Sequence, residues 1–117
     1  MSKKNDIPTD LDFVYSFRGK IWKDSMPGGW YFVGLPKGLS RKIRKVHSSS
    51  EEGWGRLKTV ATIGSTNWRT AIWYDTKAGV YVLPVKALIR KKESLREESR
   101  VEVNLVFELE KWLWDKV

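Results

Sequence analysis

From Leu11 the chain alternates, with Leu11, Phe13, Tyr15, Phe17 and Ile21 on one side and Asp12, Ser16, Arg18 and Lys20 on the other. A period of two with aromatic residues on one face predicts a half-buried strand. Val14 and Trp22 fall on the polar side, so that face is expected to be partly covered as well. Asp24-Ser25-Met26-Pro27-Gly28-Gly29 reads as a turn, because proline fixes φ and glycine accepts positive φ. Trp30-Tyr31-Phe32-Val33 is then a short, wholly apolar strand, ended by Gly34 and Pro36 and expected to pair antiparallel with the first.

The period then changes. Leu39, Ile43 and Val46 fall at i, i+4 and i+7, one face of a helix with Ser40 at its N-cap and basic residues plus His47 at its C-terminal end. A serine-rich connector, residues 48–53, leads to strands from Leu57 to Ile63 and from Thr66 to Tyr74. They flank Gly64-Ser65, a two-residue loop suited to a type II′ turn. A longer turn at residues 75–79 precedes Val80-Tyr81-Val82-Leu83, which Pro84 ends; Val85, Leu88 and Ile89 suggest a helical turn before a charged loop. In the last strand Val101, Val103, Leu105, Phe107 and Leu109 alternate with Glu102, Asn104, Glu108 and Glu110. Short strands, tight turns and one interposed helix predict an all-β fold, mainly β with one short helix, closed into a small barrel of about six strands. Residues 11–110 form the single barrel domain, with a disordered polar tail at 1–10 and a C-terminal tail at 111–117 whose Trp112 and Trp114 have no assigned place.

A length of 117 residues suits one domain, and 41% apolar with 31% charged residues is the balance of an ordinary globular chain. The lack of cysteine excludes disulfides, thiolate nucleophiles, cysteine zinc sites and iron–sulfur clusters. No apolar run approaches the ~20 residues that cross a bilayer, and the polar N-terminus has no signal-peptide core, so the expected location is cytoplasmic, away from membranes. The net charge of +8 favours anionic partners: nucleic acid or a small phosphate- or carboxylate-bearing ligand.

Candidate catalytic groups are sparse. His47 is the lone histidine, placed at an exposed helix end; no G-x-S-x-G stretch, metal-spaced ligand set or glycine-rich phosphate loop is present. The expectation is a non-enzymatic protein with no cofactor and no metal. The seven tryptophans carry more information. Stacking on a base contributes ~1–3 kcal/mol, whereas burying a ring of ~200 Å² contributes about 5 kcal/mol before entropy costs, so most rings belong inside. Phe13, Tyr15, Phe17, Phe32, Trp68 and Phe107 are assigned to the core; Trp22, Trp54 and Trp73 point away and are candidates for a binding face or dimer interface. Basic residues form two runs, Lys37 to Lys45 and Lys86 to Lys92. Arg69, on the face opposite Trp68 and Thr70, could grip an anion bidentately or lay its apolar stem over Trp73.

Four stretches carry a family resemblance: Gly29-Trp30-Tyr31-Phe32-Val33-Gly34-Leu35-Pro36, Gly53-Trp54-Gly55, Ile63-Gly64 with Trp68-Arg69-Thr70, and Tyr81-Val82-Leu83-Pro84-Val85-Lys86. In this order and spacing they resemble the bacterial domain-of-unknown-function family nineteen-oh-five. The resemblance implies a double-split β-barrel, a fold shared with antitoxin and transition-state-regulator barrels that bind DNA as intertwined dimers. The family itself has no established activity. It usually carries Gly-Asp just before the last strand where this chain has Glu98-Ser99, so a differently built turn is expected. Many relatives continue into a C-terminal segment linked to bacteriocin protection, and that role is not carried over.

The leading functional expectation is a non-enzymatic binding module for an anionic ligand or nucleic acid, acting through one barrel face or mouth that carries Arg69, Trp73, Lys86 and Arg90. One alternative is a protein–protein or self-associating module, such as a homodimer, joined through Trp22, Trp54 or Trp73. Another is an enzyme of unrecognised type, which would need a pocket with convergent polar groups.

Overall fold

In β1 (Asp12–Lys23) the inward residues Tyr15, Phe17 and Ile21 are buried while Ser16, Arg18 and Lys20 are exposed, the outcome that alternation dictates for a strand with one face on a core. The computed structural model describes residues 12–25, 28–51 and 55–108. The tails assigned to 1–10 and 111–117, the strand ends at Leu11 and Leu109, and Trp54 lie outside the described residues. After β1 come β2 (Tyr31–Gly34), α1 (Lys37–His47), a 3₁₀ turn (Ser48–Ser50), β3 (Arg56–Ile63), β4 (Thr66–Asp75), β5 (Val80–Pro84), α2 (Ala87–Lys92) and β6 (Arg100–Glu108). The strands close an antiparallel six-stranded barrel in the order β1-β2-β5-β4-β3-β6.

The ladders are uneven, and that unevenness shapes the molecule. β1 and β6 pair from Asp12↔Glu108 to Lys20↔Arg100, and β3 pairs with β4 along its whole length. By contrast β4 and β5 share only Trp73↔Val82, Tyr74↔Tyr81 and Asp75↔Val80. Pro84 lacks an N–H and ends β5. The chain then turns into α2, so the first part of β4 parts company with β5 and the wall opens there. Each helix buries a residue against the barrel. Helix α1 buries Ile43 and sets His47 against Phe13 and Tyr15 of β1 and Phe107 of β6, and α2 buries Ile89.

Four local expectations need correction. Helix α1 begins at Lys37, directly after Pro36, so Ser40 is not its cap. Ser40 is buried, and its hydroxyl accepts the Tyr81 N–H at 3.0 Å. The inward face of α1 is Ser40, Ile43 and His47, at i, i+3 and i+7, which leaves Val46 exposed and His47 only 3% exposed. Val14 is 62% exposed on an outer face that no described element covers. Phe32 is buried from outside the barrel. Because Ile21↔Val33 is an inward pair, the next pair, Trp22↔Phe32, must face outward.

Two turns are decided by single residues. Gly64 has φ +59 while Ser65 stays out of the left-handed region, the type II′ pattern expected for this hairpin. Before β6, Glu98 itself adopts φ +76. The turn therefore holds a glutamate in a glycine-type conformation, locked by Glu98 N–H to Ile21 O and Ile21 N–H to Ser99 O, both 2.8 Å. The Ser99 hydroxyl accepts the Arg96 N–H at 3.0 Å.

Candidate functional site

The opening between β4 and β5 is where the sequence places its most unusual side chains. Beyond Pro84, the Val85 N–H donates to Tyr31 O at 2.8 Å, so the chain stays tied to β2 after β5 has ended. The first turn of α2 closes on Lys86 O, accepting from Ile89 and Arg90 at 3.0 and 3.1 Å. That geometry sends Ile89 into the core and the adjacent Arg90 to the rim. The Arg90 guanidinium lies 3.7 Å from the centre of the Tyr31 ring, and its Nε donates to Val85 O at 3.3 Å. Held at two points, it is a preorganised cation.

A groove of about 400 Å³ lies here, lined by Gly28, Gly29, Trp30, Tyr31, Trp68, Thr70, Pro84, Val85, Lys86 and Arg90. Its walls are largely aromatic and aliphatic, with two cations, Lys86 and Arg90, and two hydroxyl-bearing residues, Tyr31 and Thr70, among them. Lys86 and the Arg90 Nη groups have no hydrogen-bond or ion-pair partner among the described residues. Lys23 Nζ also lies over the Tyr31 ring, 5.8 Å from its centre. A neighbouring recess of about 540 Å³ is lined by Lys23, Asp24, Ser25, Gly28, Gly29, Tyr31 and Glu97. It lacks the tryptophans and brings in carboxylates.

An aromatic patch continues the groove onto the outer surface. Trp30 packs on Trp73 with ring centres 5.5 Å apart and lies nearly parallel to Phe32, at 6.3 Å and 13°. Phe32 in turn contacts Trp22 at 5.0 Å. Trp30 and Trp22 remain 57% and 39% exposed.

The predicted site residues therefore separate. Lys86 and Arg90 line the groove; Trp22 and Trp73 belong to the adjoining patch; Arg69 is exposed on the outer face of β4, away from the groove lining. Trp54 lies outside the described residues. Arg69 and Trp73 fall on the same outer face of β4, while Trp68 and Thr70, of opposite parity, reach the groove that Lys86 and Arg90 line, so the four predicted residues divide between outer face and groove. Sequence reasoning missed Trp30 and Tyr31 as site residues. Their signal was the wholly apolar β2, a strand with no polar face.

A buried polar cluster lies between α1 and the barrel. The Tyr15 hydroxyl and His47 Nε2 are 3.0 Å apart, and the imidazole stacks on Phe107 at 4.6 Å and meets Phe13 edge-on at 4.8 Å. Burial holds His47 below the ordinary imidazole value and pushes Tyr15 up. The Tyr81 hydroxyl donates to Glu51, which pairs with Arg44 at 3.5 Å; Arg44 also stacks on Tyr74. Burial, and then the Glu51 carboxylate, raise the Tyr81 phenol far above its usual value. These groups satisfy one another and bind α1 to the barrel.

Among the described residues no three histidine, cysteine or acidic side chains gather as a metal site would require, and no helix is long and apolar enough to cross a membrane. No curated protein matches this chain. A family model described as "Domain of unknown function (DUF1905)" matches residues 17–105, a span that holds β2 to β5 entire, the greater part of β1 and β6, and the whole groove. The chain belongs to the DUF1905 family of domains of unknown function.

Proposed function

We propose that this chain is a non-catalytic binding module that takes an anionic ligand bearing a flat ring in the groove between β2, the end of β5, α2 and β4. One observation carries the reading: a half-buried guanidinium, fixed over Tyr31 and lacking an anionic partner among the described residues, stands at the rim of a groove walled by Trp30 and Trp68. The groove's volume falls in the range that small-ligand sites occupy. Its aromatic walls suit a planar ring, and Arg90 with Lys86 suits a phosphate or carboxylate. The histidine that acid–base chemistry would call on is buried between α1 and the barrel, hydrogen-bonded to Tyr15.

Tryptophan fluorescence, with Trp30 and Trp68 as reporters, tests this by titration with inorganic phosphate, nucleoside monophosphates and aromatic carboxylates at low salt. Binding that falls roughly 10- to 100-fold in Arg90→Ala is the expected result, from the ~1.5–3 kcal/mol of a charged hydrogen bond. No response to any anion, or equal affinity in Arg90→Ala, rules the site out.

The exposed rings of Trp22 and Trp30 favour a second reading, a self-association surface. Sedimentation over a range of concentrations tests it: a strict monomer at all concentrations removes it.

A further inference from the structure

The groove stops being a small-ligand site at Trp30. One side of that indole lines the groove, and its ring also begins the outer patch, packed on Trp73 and nearly parallel to Phe32, with Trp22 beyond. A ligand the size of the groove would leave this platform uncovered, with Trp30 57% exposed at a groove that Lys86 and Arg90 also line and Trp22 39% exposed beyond Phe32. Exposed flat rings next to positive charge are the two elements that single strands require: π-faces for unstacked bases and cations for the backbone.

Resting on the groove reading above, we infer that the occupant is single-stranded nucleic acid. One nucleotide seats in the groove with its phosphate on Arg90 and Lys86, and neighbouring bases stack on Trp30 and Trp22. Duplex is disfavoured, because its bases are already stacked and offer only their edges. The carboxylates Asp24 and Glu97 line the neighbouring recess beyond Gly29, which directs the strand outward over Trp30 instead. With stacking and phosphate contacts alone, the site reads neither base identity nor the sugar.

The test titrates the full chain with thymidine monophosphate, thymidylate and uridylate strands of increasing length, a blunt duplex, and an acidic peptide rich in aromatics. Strands are expected to bind at least roughly tenfold more tightly than the monophosphate, the gain of stacking one further base. Trp22→Ala should remove that gain and leave monophosphate affinity unchanged, which also checks that the variant folds; Trp22→Tyr should restore most of it. With Lys86 and Arg90 as the two phosphate contacts, the log–log salt slope is expected to be about −1.4. The inference is overturned if lengthening the strand adds nothing, if duplex binds as well, or if the peptide binds more tightly than any strand. In those cases monophosphate binding that depends on Arg90 leaves the groove reading standing. Loss of monophosphate and strand binding alike removes both.

Discussion

Glu98 occupies φ +76, a region where a Cβ crowds the following carbonyl at a cost of roughly 1–2 kcal/mol. The hydrogen bonds across to Ile21 hold it there. Glu98→Gly removes the crowding and returns part of the gain as unfolded-state entropy. It also gives up a solvent-exposed pair with Lys20, which contributes little. The expected outcome is a net stabilisation of about 1 kcal/mol, read from the shift in urea midpoint. His47 makes the opposite kind of statement. Its folded-state pKa is lowered by burial, so between the folded value and the ordinary 6.5 the unfolded chain binds the extra proton. The stability this residue supplies is therefore complete above about pH 6.5 and is lost as pH falls towards the folded value. Urea midpoints of the wild type should decline on going from neutral to mildly acidic pH. In His47→Phe, which keeps a ring against Phe107, that decline should shrink even if the absolute stability is lower.

The element scale is governed by where ladders stop. The β3–β4 turn is strapped to the end of α2 by Glu93, which accepts from Thr66 Oγ1 at 2.6 Å and from Ser65 Oγ at 3.4 Å. A Cβ on Gly64 would lie 2.0 Å from Glu93 Oε1, in a backbone conformation that already disfavours one. Gly64→Ala is expected to cost about 2 kcal/mol, part steric and part conformational. In a Glu93→Ala background the steric part has no object, so the two substitutions should be non-additive in a double-mutant cycle. The strands are legible from the amino-acid order alone because a period of two survives in any register: Tyr15, Phe17, Leu105 and Phe107 need no partner to be placed inside. Helix α1 is legible as an element but not in rotation. Its inward stripe includes a serine and a histidine, which a hydrophobic count passes over. Phe32 is misplaced for a related reason. β2 is apolar on both faces, and only its pairing with β1 decides which face is in.

At the scale of the whole molecule, the groove is a product of topology. It exists because β4 and β5 share only their last and first residues, and nothing in the local sequence states where that pairing ends. Lys86 and Arg90 can be named from a basic run, but not their convergence on Trp30, Tyr31 and Trp68, which come from two distant strands. Arg69 has the right chemistry and the right outward direction; that direction is why it misses the groove. Its truncation to alanine should leave anion affinity within about twofold, since a solvent-exposed charge outside the contact shell acts only through screened, long-range attraction. Arg90→Ala, which removes a contact, should not. The most direct measurement is a proton–nitrogen NMR titration that follows the indole signals of the seven tryptophans as thymidine monophosphate is added. The Trp30 and Trp68 indoles should shift together with saturation while Trp22 stays in place. Signals for Trp30 and Trp68 that remain fixed at saturating ligand would contradict a binding site in this groove.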